Sequence, residues 1–220
     1  MSNKELFLRY LLFTAGLFLE GVGIAFTKHS QLGVTPIASV PNVVSYLVPD
    51  ISLGTLLFIW NCLMLLGQIL ILRRDFRRVQ FLQIPVSFLF GWFTDIGLRI
   101  VSGVPVDIYP AKLLSLTAGI FLLALGVEVT VIAGVVLNAG EGFVKAVSDK
   151  TGKTFGSAKV FFDVSCVVSA VILSMILFHG RILGTREGTI ISACCTGLVV
   201  KLYARIYAQF ASAATKARLK

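Results

Sequence analysis

Hydrophobic residues along this chain fall into long runs separated by short polar stretches, and that pattern predicts helices. Six runs are long: Tyr10 to Thr27, Leu53 to Leu72, Val79 to Val101, Leu113 to Leu137, Phe155 to Phe178 and Gly188 to Tyr207. Most approach or exceed the roughly 20 apolar residues that cross the hydrocarbon core of a bilayer. Two shorter segments lie between them. Gly33 to Leu47 is interrupted by Pro36 and Pro41, and Glu141 to Ser148 is half polar. The expected architecture is all-helical, with six transmembrane helices and two short, broken or re-entrant segments.

The order long, short, long, long occurs twice. Thr14-Ala15-Gly16-Leu17-Phe18-Leu19 lines up with Thr117-Ala118-Gly119-Ile120-Phe121-Leu122, and Gly23 then falls on Gly126. Further along, Ser45 falls on Ser148, Gly54 on Gly156, Asn61 on Asp163 and Gly91 on Gly197. The chain therefore divides into a first repeat, residues 1–102, and a second, 103–220, within one membrane domain. If the short segments do not span, each repeat crosses three times and the second is inverted. The basic residues fit that count. With the N-terminus in the cytoplasm, Arg73, Arg74, Arg77 and Arg78 fall inside, as do Lys145, Lys150, Lys153 and the tail with Lys216, Arg218 and Lys220. Fewer basic residues remain outside, which the positive-inside rule favours. Both termini are expected in the cytoplasm.

Composition narrows the class further. The chain is 56% hydrophobic and 14% charged, whereas soluble domains are about a quarter charged. Its mean hydropathy is +0.89. The net charge of +9 does not signal nucleic acid, because the basic residues sit at the ends of apolar runs and not on one polar face. Lys4 and Arg9 precede the first run in the manner of a secretory signal, but that run carries Glu20 and lacks a clear small-residue cleavage site. It reads as a retained helix. Cys62, Cys166, Cys194 and Cys195 lie in apolar stretches and read as packing residues. His29 and His179 have no metal-ligand company. The expected cofactor content is none, with no metal site and no catalytic set, so the chain is not expected to be an enzyme.

Inverted repeats with broken segments are an arrangement of secondary transporters. Broken backbone at membrane depth must face protein or a wet cavity, so candidate substrate-binding residues concentrate there. The first segment offers Thr35, Pro36 and Ser39, and the second Asn138 and Glu141. Pro36 suits a first helical turn. Asn138 suits a cap, and Glu141 suits the positive end of a helix dipole. Asn61 and Asp163 are matched polar residues about two turns into their helices, where an acid is costly and marks function. Asp163 and Glu141 are candidates for binding a proton or Na⁺, and Asp95 and Arg186 for gating. Asp95 and Arg99, four apart, are expected to pair. Glu20 and Glu128 do not match each other in the repeat and carry less weight.

Several of these elements resemble the bacterial YczE/YyaS/YitT family of multi-pass membrane proteins. They are Leu32-Gly33-Val34-Thr35-Pro36-Ile37-Ala38-Ser39-Val40-Pro41, Gln83-Ile84-Pro85-Val86-Ser87 continuing to Asp95, Gly140-Glu141-Gly142, Phe162-Asp163 and Arg186-Glu187-Gly188-Thr189. The resemblance implies a bacterial cytoplasmic membrane and names no substrate. A small-molecule permease is the leading expectation. Its rivals are a substrate-capture subunit of an ATPase-driven vitamin-type uptake system and a non-transporting accessory or regulatory protein. The expected partners are the lipid bilayer, a small-molecule substrate and further copies of the chain, and no nucleic acid.

Overall fold

A computed structural model describes the backbone of residues 3–218 and the side chains of residues 4–209. The described residues form eight α-helices and no strand: α1 (Asn3–His29), α2 (Pro36–Leu47), α3 (Leu53–Leu72), α4 (Gln83–Val101), α5 (Tyr109–Ala133), α6 (Ala139–Thr151), α7 (Phe155–Leu177) and α8 (Glu187–Arg218). Two 3₁₀ turns, Arg73–Asp75 and Arg78–Leu82, join α3 to α4. Six helices are long and apolar enough to cross a membrane. The other two, α2 and α6, have 12 and 13 residues. At 1.5 Å per residue they reach roughly 20 Å, short of a hydrocarbon core about 30 Å thick.

Helix boundaries follow local chemistry. The hydroxyl of Ser52 accepts the N–H of Thr55 to start α3, and Thr154 accepts that of Ser157 to start α7. α5 begins four residues before the apolar run Leu113 to Leu137 that predicts it, and it ends before that run does. Gly134 adopts φ 61°, and its N–H caps the Thr130 carbonyl. That left-handed conformation suits glycine and stops the helix. Pro41 lies inside α2 and withholds an N–H from the preceding turn. The side chains of Lys216, Arg218 and Lys220 lie outside the described residues.

The helices α1 and α5 form the centre. Gly16 of α1 lies against Gly126 and Thr130 of α5, and Gly119 of α5 lies against Gly23 and Thr27 of α1. Small residues let helix backbones approach closely, the main source of helix association in lipid. α4 packs along α1, and α8 along α5. The short helices cross over: α2 packs on α7 and α6 on α3. About half of the apolar stretch of α1 is buried within the protein, 50%, against 17% for α7 and for α8. The main core joins α1 (Phe13, Leu17), the α2 tip (Val34, Ala38), α3 (Leu57) and α4 (Phe90).

The two basic clusters share one end of the bundle, where Arg77 and Gln80 border the same recess as Lys145 and Lys150. At the other end the ring of His29 bonds the Val104 carbonyl at 2.7 Å, and Lys112 donates to Gln31 at 2.8 Å. α8 begins at that second end. Its Gly188 N–H donates to the Leu32 carbonyl at 2.8 Å. Gly33 there has φ 120°, and the Thr189 hydroxyl occupies the space that a Cβ would need. Only glycine meets both demands.

Candidate functional site

The tips of α2 and α6 meet inside the bundle. Ile37, one residue into α2, places its Cδ1 where a Cβ on Gly140 of α6 would stand. Beside this junction lies a cavity of about 280 Å³, lined by Phe13, Leu17 and Glu20 of α1, Thr130 of α5, the linker 134–137, and Asn138 and Glu141. Most of its wall is apolar; its polar groups converge on one carboxylate. Glu20, 4% exposed, receives hydrogen bonds from the Thr130 hydroxyl at 3.0 Å and the Asn138 amide at 3.4 Å. The same Asn138 accepts the Ala139 N–H at 2.8 Å and so caps α6 as expected. Gly126 gives Glu20 its place: a Cβ there would stand 2.6 Å from the Glu20 nitrogen.

Glu141 lies in the first turn of α6, half-buried on the cavity wall and within electrostatic reach of Glu20. Burial pushes its carboxyl above the usual carboxylate range. The Lys159 ammonium opposes that rise and the Asp163 carboxylate adds to it. Lys159 and Asp163 are one turn apart on α7, with Nζ and Oδ1 at 2.6 Å. Two carboxylates facing one apolar cavity repel each other, and a cation or proton held between them relieves that repulsion.

The remaining expected residues lie elsewhere. Thr35 occupies the N-cap of α2, but its side chain caps nothing and its buried hydroxyl has no partner. Pro36 is the first helical residue. Ser39 bonds its own turn at the Pro36 carbonyl, 2.5 Å, and reaches the Cys166 carbonyl of α7 at 3.2 Å. Asn61 is buried with its Nδ2 unpartnered. These four do not line the cavity. Glu128 is a buried residue of α5 that does not line it either. Arg186 pairs with its neighbour Glu187 at 3.3 Å, at an exposed site.

One expected interaction is replaced. Asp95 does not pair with Arg99; its carboxylate accepts the Ser52 hydroxyl at 2.6 Å and the Gly54 N–H at 2.8 Å. The Ser52 hydroxyl and the Gly54 N–H at the start of α3 supply what a neighbouring guanidinium would have supplied, and the helix dipole reinforces them. Among the described residues no three His, Cys, Asp or Glu side chains are placed to share a metal ion.

Two features of the site go beyond the sequence reading. Lys159 is legible in hindsight from its spacing four before Asp163. Gln68 and Gln83 form a reciprocal amide pair at 2.8 and 3.2 Å, and Gln68 also donates to the Ala139 carbonyl at 3.0 Å. Both are fully buried, and they fasten the α3–α4 hairpin to the tip of α6. The Gln68→Leu variant should lose about 1–3 kcal/mol, because the Gln83 amide is left buried and unpaired. Thermal unfolding of the purified protein in detergent measures this. The double variant Gln68→Leu/Gln83→Leu should recover part of the loss.

A family model described as "Family of unknown function (DUF6198)" matches residues 7–205. No curated protein and no solved structure matches the chain.

Proposed function

The chain belongs to the DUF6198 family, and we propose that it is a secondary transporter carrying a small molecule across the bacterial cytoplasmic membrane. The observation that carries this reading is the cavity beside the junction of the two short helices, where Glu20 and Glu141 face mostly apolar walls. Short helices ending at membrane depth offer polar groups to a solute without exposing backbone to lipid. In this reading α2 and α6 re-enter from opposite faces. Glu20 and Glu141 bind the coupling cation, a proton or Na⁺, with Thr130 and Asn138 orienting Glu20. The Lys159–Asp163 pair sets the charge behind Glu141.

The pairing of the halves supports an inverted repeat. Gly16 corresponds to Gly119 and Gly23 to Gly126, and in space Gly16 meets Gly126 while Gly119 meets Gly23. A two-fold axis through the α1–α5 crossing exchanges those contacts. The same axis exchanges α2-on-α7 with α6-on-α3, and α1-on-α4 with α5-on-α8. Such symmetry gives two oppositely facing states of similar energy, the basis of alternating access. The end carrying Arg73, Arg74, Arg77 and Arg78 faces the cytoplasm in this reading, as the positive-inside rule requires.

Untargeted metabolite uptake tests the proposal. Membrane vesicles with the protein are compared with vesicles without it, under an imposed pH or Na⁺ gradient. At least one solute should accumulate only with the protein and collapse with the gradient. If no solute differs under either gradient or in either vesicle orientation, the transporter reading is wrong.

A further inference from the structure

The two halves match at the α1–α5 crossing and differ at their flanks. In the first half α3 and α4 are closed together. A Cβ on Gly54 would overlap the Gly91 carbonyl, and a Cβ on Gly91 would overlap that of Gly54. One turn further in, Phe58 and Phe88 meet edge to face at 5.9 Å. Asp95 fastens this seam across the two helices, through the Ser52 hydroxyl and the Gly54 N–H.

In the second half the corresponding seam is open. Gly156 and Gly197, the counterparts of Gly54 and Gly91, each have nothing within 4 Å of where a Cβ would stand. α7 and α8 scarcely touch. The counterparts of Phe58 and Phe88 in the same register are Val160 and Cys194, and both are exposed. The register that pairs Gly91 with Gly197 sets Lys201 where Asp95 stands. A carboxylate is favoured at a helix N-terminus and an ammonium is not. The first seam therefore has a latch, and the second lacks one at the same position.

We infer that the α7–α8 cleft is the counterpart gate of the α3–α4 seam: α8 closes onto α7 through Gly156 and Gly197 when the Asp95 latch releases. The occupant of the open face is this chain's own helix, because the matched half shows which helix covers it. Asp95 sets the resting state, first seam shut and second open, and its loss moves the population toward the exchanged state. The inference rests on the two matched halves of the reading above and adds the device that chooses between them.

Disulfide trapping tests this without any transport assay, so a failure here is distinct from a failure to transport. Cys62, Cys166, Cys194 and Cys195 are replaced by alanine, and Gly156→Cys and Gly197→Cys are introduced; both sites are open space. A protease site placed in the linker 178–186 separates α7 from α8, so an intrachain link holds the two fragments together after mild oxidation in membranes. The joined fraction should be small with Asp95 present. It should rise at least about tenfold in the closed-to-open ratio with Asp95→Ala, given two charge-assisted hydrogen bonds lost. Ser52→Ala, which removes one of the two, should give a smaller rise and serves if Asp95→Ala does not fold. An unchanged joined fraction in the folded variants overturns the latch. Links only between chains overturn the closure and make this face an interface between copies.

Discussion

Gly23→Leu is expected to leave almost no folded protein in the membrane. A Cβ on Gly23 would stand 2.6 Å from the Leu123 nitrogen and 2.8 Å from its Cα. Those are backbone atoms of α5, which cannot rotate aside as a side-chain tip can. The clash must push α1 from α5, and that crossing carries both the core and the cavity wall. Lipid tails are as apolar as leucine, so no hydrophobic gain offsets the lost close packing. The cost should exceed about 3 kcal/mol, beyond the usual range for single substitutions. Gly126→Leu should behave alike, since a Cβ there meets the Glu20 nitrogen and the Gly16 carbonyl, both at 2.6 Å. Gly156→Ala is the control, with open space around it and a gain of up to about 1 kcal/mol in helix propensity. Size-exclusion chromatography in detergent before and after heating distinguishes them. A monodisperse Gly23→Leu protein with wild-type heat resistance would mean that the α1–α5 crossing is not tightly packed.

The same glycines show how far the sequence reaches. Register within the chain lines up Gly16 with Gly119 and Gly23 with Gly126, and in space Gly16 meets Gly126 while Gly119 meets Gly23. Hydropathy likewise places the six long helices and the two short ones, since lipid demands long uninterrupted apolar runs. What spacing cannot convey is which side chain answers which across the fold. Asp95 has Arg99 one turn away, and a sequence argument pairs them. In three dimensions the Gly54 N–H and the Ser52 hydroxyl at the start of α3 take its carboxylate, and a fixed helix end competes well with a flexible arginine. Gln68 and Gln83 are separated by a hairpin, so neither predicts the other. Glu20 carries little weight in the repeat because its counterpart is Leu123, an apolar residue. That mismatch is where the cavity lies. In the proposed inverted repeat, a site built on one side breaks the symmetry, and matched positions undervalue it. Asn61 and Asp163 are the reverse case: matched in register, yet one is a buried amide and the other half of an ion pair.

Replacing a carboxylate of the cavity by its amide should cut uptake sharply while leaving the protein folded. In Glu20→Gln the side-chain carbonyl still accepts from Thr130 or Asn138, so the wall of the cavity keeps its shape. A charge-assisted interaction with a bound cation is worth about 1.5–3 kcal/mol, and its loss corresponds to roughly 10- to 150-fold in uptake. Glu141→Gln should fall in the same range and should also change the pH dependence of stability. Burial holds the Glu141 carboxyl above its ordinary range in the folded protein. Below the ordinary carboxylate pKa, near 4.3, both folded and unfolded chains are protonated there and the contribution is complete. As pH rises, the unfolded chain releases that proton first, so folding becomes less favourable until the folded carboxyl has titrated as well. The wild-type unfolding temperature should therefore decline as pH increases from the ordinary carboxylate range upward, and Glu141→Gln should flatten part of that decline. Thermal unfolding across pH 4 to 8, with Lys150→Gln as an exposed control that does not line the cavity, measures the difference. Parallel curves for wild type and Glu141→Gln would remove Glu141 from any protonation step, and unchanged uptake in both glutamine variants would remove the cavity from the transport path.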